Sequence, residues 1–112
     1  MKEDVIEYFE GRLLTSYEHN NIMYVEKFCT VTDNREQYIY LVTNTTEEEI
    51  KKFRNKEITL SQLFHDYSEQ FDYYISQEER GLIVDIVKIP ANSIPESYKV
   101  KPNVFYEEEL AE

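Results

Sequence analysis

The spacing of apolar residues changes twice along this chain, and those changes limit its fold more than any other feature. Residues 22–31, Ile-Met-Tyr-Val-Glu-Lys-Phe-Cys-Thr-Val, and 37–43, Gln-Tyr-Ile-Tyr-Leu-Val-Thr, are rich in β-branched and aromatic types. Such residues suit a pleated surface. The polar stretch Thr32-Asp33-Asn34-Arg35 between them is turn chemistry, so the two runs predict a β-hairpin. Period two then gives way to helical signals. Thr46 with Glu49 fits a capping box, and Glu47-Glu48-Glu49 followed by Lys51, Lys52 and Arg54 suits the helix dipole. A helix is expected over residues 46–55. A second start follows, Thr59 with Gln62, and Leu60, Leu63, Phe64 and Tyr67 fall at i, i+3, i+4 and i+7, predicting a helix over 60–67. Residues 71–76 and 82–89 return to strand composition around a polar turn, with Gly81 expected at positive φ.

Strands, then helices, then strands predict an α+β fold with a mostly antiparallel sheet of about five strands and two short helices between two hairpins. Residues 5–10 fit a strand or a short helix, Gly11 a turn or bulge, Leu13–Tyr17 a strand, and His19-Asn20-Asn21 a turn. Pro90, Pro95 and Pro102 end regular structure, and Val104–Tyr106 fits an edge strand or an ordered tail. With 112 residues the chain has room for one domain, placed at residues 1–106, ahead of an acidic tail, 107–112, expected to fray.

Composition removes several function classes. The chain holds 23 acidic and 12 basic side chains, net −11, which repels phosphate and disfavours direct nucleic-acid binding. Ten Tyr and six Phe separate it from disordered acidic chains. Gly11 and Gly81 are too far apart to form a phosphate-cradling loop. One cysteine and two histidines leave no expected metal site, cofactor site or disulfide. Without an apolar run long enough to span a bilayer, or a leader-like start, the expected location is the cytoplasm of a bacterial cell, with no membrane partner.

Individual residues offer little chemistry. His65 and Glu69 stand at i, i+4 on the expected second helix, beside Asp66, which would suit two ligands or a lone general base. The same spacing describes a solvated helix face. Cys29 sits among apolar strand residues and reads as a small buried hydrophobe rather than a nucleophile. The excess charge is more informative: residues 1–44 carry net −4, 45–64 carry 0, and 65–112 carry −7. Asp66, Glu69, Asp72, Glu78, Glu79 and Glu96, interleaved with Tyr73, Tyr74 and Tyr98, are therefore the expected partner-binding residues. Carboxylates and tyrosines on one surface would steer it to a basic groove. Asp85, inside an apolar strand, is expected to be exposed or hydrogen-bonded.

The stretch Asn55-Lys56-Glu57-Ile58-Thr59-Leu60-Ser61-Gln62-Leu63-Phe64, followed by a strand pair, Ile89-Pro90 and Ile94-Pro95, resembles an uncharacterised family of small acidic bacterial and phage proteins over residues 36–95. Where that pattern has a Gly after the helix, this chain has Asn55 or Lys56; Ile94 replaces a Leu. In composition the chain is also similar to phage anti-defence inhibitors, both anti-CRISPR and DNA-mimic anti-restriction proteins. These likenesses imply a non-enzymatic inhibitor that binds a basic, nucleic-acid-binding host protein such as a defence nuclease. The alternative is a small structural, accessory or immunity-type domain without mimicry. A homodimer paired through the 22–43 hairpin is a further expectation.

Overall fold

The computed structural model describes residues 3–8, 12–32, 34 and 36–107. Six strands form one antiparallel sheet in chain order: β1 (Glu3–Tyr8), β2 (Arg12–His19), β3 (Ile22–Val31), β4 (Gln37–Thr45), β5 (Tyr73–Glu79) and β6 (Leu82–Ile89). Helices α1 (Glu47–Arg54) and α2 (Leu60–Leu63) lie between β4 and β5. The fold is α+β and mostly sheet. The segment around Val5, open between strand and helix from sequence, is β1, which raises the strand count to six. The turn or bulge expected at Gly11, half of the 32–35 turn and most of the acidic tail lie outside the described residues.

Local chemistry sets the strand connections. Asn20 and Asn21 take φ of 53° and 66°, and Arg80 and Gly81 take 53° and 81°. Two successive positive φ values make the tight turn whose twist matches a two-strand ribbon. β5 starts two residues later than its composition suggested and runs on to Glu79, so the turn shrinks to Arg80-Gly81.

α1 is capped as its sequence requires. The Glu49 amide donates to Thr46 Oγ1 at 3.1 Å. At its other end the Glu57 amide donates to the Lys52 carbonyl at 2.8 Å and the Lys56 amide to the Phe53 carbonyl at 3.0 Å. This is a Schellman cap, with Lys56 at φ 62° in the place that glycine favours. In α2 both halves of the Thr59/Gln62 capping box are present.

The second helix is shorter than its apolar spacing predicts. It stops at Leu63, and His65, Asp66 and Tyr67 follow with φ of 59°, 51° and 58°. A left-handed backbone costs a non-glycine residue roughly 1–2 kcal/mol. Tertiary bonds hold the segment there. Ser61 Oγ donates to Asp66 Oδ1 at 2.8 Å, and the Val100 amide donates to Tyr67 Oη at 2.8 Å. Tyr73 Oη donates to the Phe64 carbonyl at 2.8 Å. Tyr67 therefore reaches the core by reversing the chain, not by continuing the helix.

One face of the sheet carries the core. Leu14, Val25, Leu41 and Tyr73 project from the strands against Ile50, Phe53, Leu60, Leu63 and Phe64, with Ala91 and Ile94 from the chain after β6. Each fully buried Leu or Phe contributes roughly 1.5–3 kcal/mol. Val104–Tyr106 is an ordered tail, not a strand: the Val104 carbonyl accepts from the Leu60 amide at 2.8 Å, and Tyr106 meets Phe53 edge-to-face at 5.5 Å.

Among the described residues no helix covers the opposite face, yet Thr15, Glu26, Tyr40, Val42 and Ser76 are buried there. Residues from β2 to β6 line a single cleft on this face. The sheet therefore curves enough for its large side chains to cover one another. Tyr17 stacks on Tyr24 at 5.6 Å, and Phe28 meets Tyr38 and Tyr40 edge-on.

Candidate interaction surface

β3 and β4 cannot pair with a second copy, as the sequence suggested, because β2 and β5 already occupy their outer edges. That central position buries most of β4, while in β3 only Val25 and Glu26 are buried. Among the described residues the open edges of the sheet are β1 and β6. The pairing of β1 with β2 is broken by two irregularities, which blunt that edge.

β6 has little of that protection. Its sequence is Leu-Ile-Val-Asp-Ile-Val-Lys-Ile, and every residue from Leu82 to Lys88 is exposed. Leu82 is 71% exposed, and Ile83, Val84, Ile86 and Val87 lie between 47% and 51%. Apolar side chains thus stand in solvent on both faces of an edge strand, where unpaired backbone groups already form a template for another strand. A bulge at Val84 interrupts the pairing, since Gln77 opposes Asp85 while Glu78 opposes Ile83. Asp85 is exposed, one of the two outcomes expected for it. Lys88 Nζ lies 3.3 Å from Asp72 Oδ1 across to β5.

The predicted partner-binding residues do not form one surface. Tyr73 is 0% exposed and its hydroxyl is used within the core, so it cannot meet a partner. Burial pushes its pKa up to about 12, with Tyr67 and Asp66 adding to the effect. Tyr98 is half-buried against the core. Glu78, on the concave face, is only 9% exposed, too enclosed to belong to an open acidic patch. Strand alternation explains Tyr73, which points into the core whatever its polarity; Glu78 has the opposite parity and is enclosed on the other face, opposite Tyr38 of β4. Asp66, Glu69 and Asp72 are exposed along the α2–β5 connection, and Glu96 is exposed beyond β6, paired with Lys99 at 3.1 Å. Glu79 accepts from Gln37 Nε2 at 3.1 Å. Tyr74, half-buried, faces the cleft.

His65 is not on a solvated helix face. Its side chain is 7% exposed, its ring stacks on Phe71 at 3.7 Å, and Nε2–H donates to the Asn44 carbonyl at 2.7 Å. The end of α2 also removes its i, i+4 relation to Glu69. Among the described residues no group of three His, Cys, Asp or Glu could hold a metal ion. Cys29 is half-buried at the β3 bulge, and burial raises its thiol pKa against smaller lowering effects from Lys27 and the Leu41 backbone.

Sequence reasoning missed the cleft on the concave face. Its volume is about 370 Å³, and Tyr17, His19, Tyr24, Val42, Tyr74, Ile83 and Ile86 line it. The signal was present as i, i+2 spacing of large residues in several strands, but only the strand order brings them together. Among the described residues no helix is long and apolar enough to cross a membrane. No family model, no curated protein and no solved structure matches the chain.

Proposed function

We propose that this protein is a non-enzymatic binding module that captures another protein by strand addition at β6. The observation that supports this reading best is the exposure of a two-sided apolar edge from Leu82 to Lys88. Main-chain hydrogen bonds to an added strand supply affinity in this mode, and alternate side chains supply selectivity. Charge selects the partner: the protein carries −11, Asp85 stands exposed on the edge, and Lys88, the cation of β6, is paired with Asp72. The complement is an extended, apolar strand with basic residues. Nucleic-acid-binding proteins carry basic surfaces that this charge complements, so an inhibitor of a host protein of that class is the sharper form of the reading. The same charge on a second copy opposes self-pairing.

A random peptide library selected against the full chain tests this. The expected ligands alternate apolar and basic residues, weaken as salt rises, and lose about ten-fold or more of their affinity to a Val84→Lys/Val87→Lys variant. Acidic ligands, or binding indifferent to that variant, would overturn the reading. So would a dimer in sedimentation that the same variant abolishes, because β6 would then belong to a second copy.

A further inference from the structure

We infer that the tyrosine cleft on the concave face is the specificity pocket of the β6 edge, and that it takes an arginine side chain carried by the added strand. This rests on the strand-addition reading. β6 supplies Ile83 and Ile86 to the cleft wall, and β5 supplies Tyr74. A strand paired with β6 lies about 5 Å beyond it, with every second side chain on the cleft side. A long side chain at such a position lies across Ile83 or Ile86 with its end toward Tyr74.

The lining favours a flat cation. Tyr17 and Tyr24, stacked on each other at 5.6 Å and within 27° of parallel, and Tyr74 bring three aromatic rings to the cleft wall. Guanidinium is planar, weakly hydrated and stacks on aromatic faces, whereas ammonium is compact and holds its water. The two isoleucines and Val42 suit the arginine methylenes. Among the described residues no Lys or Arg lines the cleft, whose one basic side chain is His19. Lys88, whose register places it opposite Tyr74, is engaged by Asp72. A leucine at the same place would fit the aliphatic walls but gain nothing from the aromatic rings.

Three acetylated, amidated nine-residue peptides of alternating Val and Thr provide the test. They differ only at the central cleft-side position, which is Arg, Lys or Leu. Each is titrated into the full chain and followed by backbone NMR shifts. The Arg peptide should bind about 5- to 20-fold more tightly than the Leu peptide, with Lys between them. In Tyr24→Leu the Arg and Leu peptides should converge while the Leu peptide keeps its wild-type affinity. Tyr74→Leu gives the same comparison if Tyr24→Leu does not fold. Leu binding as well as Arg, or an Arg preference that survives both tyrosine variants, would overturn the pocket. If the Leu peptide binds and Val84→Lys/Val87→Lys removes it, strand addition stands even when the pocket falls. Binding by none of the three overturns both.

Discussion

Replacing Tyr73 with Phe removes one buried hydroxyl and should change stability in opposite directions at neutral and high pH. At pH 7 the loss is the hydrogen bond to the Phe64 carbonyl at 2.8 Å. That carbonyl keeps a second donor, the Tyr67 amide at 3.1 Å, so no acceptor is left unpaired. The cost should be about 1 kcal/mol, or roughly 4 °C in Tm for a domain of this size. The alkaline branch has the other sign. The folded hydroxyl has a pKa near 12 against about 10 for a free tyrosine. A raised folded pKa favours the folded state fully below pH 10 and loses that effect as pH climbs toward 12. Over that window wild type should lose about 2–3 kcal/mol that Tyr73→Phe keeps. The variant, less stable at pH 7, should therefore be the more stable chain at pH 12. Urea unfolding followed by far-UV circular dichroism at pH 7, 9, 10.5 and 12 measures the difference. Equal stability at pH 7, or a difference that stays constant to pH 12, would refute the assigned role of this hydroxyl.

Three other substitutions test the fold around the surface. Lys56→Gly should stabilise by about 0.5–1 kcal/mol in chemical denaturation, because Lys56 holds a left-handed φ of 62° with an exposed side chain. Phe53→Ala should cost about 3–5 kcal/mol by the same assay, since the ring is fully enclosed and meets Tyr106. Val84→Lys/Val87→Lys should leave Tm within about 2 °C of wild type, because both side chains are about half exposed.

Sequence alone was sufficient wherever local chemistry decides the structure. Thr46, Thr59, Asn20-Asn21 and Gly81 mark caps and turns through bonds or dihedral angles confined to a few residues. Sequence was insufficient where distant contacts decide. Apolar spacing continued α2 to Tyr67, but Asn44, Val100 and Tyr73 supply bonds that reverse the chain at His65. Acidity after residue 65 was visible as a sum, while burial of Tyr73 follows from the alternation of β5 and that of Glu78 from the enclosure of the opposite face beside Tyr38. Composition made 82–89 a strand, yet nothing in those eight residues reveals that they form an edge. Edge position is a property of strand order, and the same apolar run in a central strand would have been core.

Amide hydrogen exchange along β6 tests the central claim most directly. The account predicts that saturation with a basic strand peptide slows exchange across residues 82–89 by about ten-fold or more and leaves β2 and β3 unchanged. Protection confined to other segments, or no protection in β6 while the peptide is bound, would contradict it.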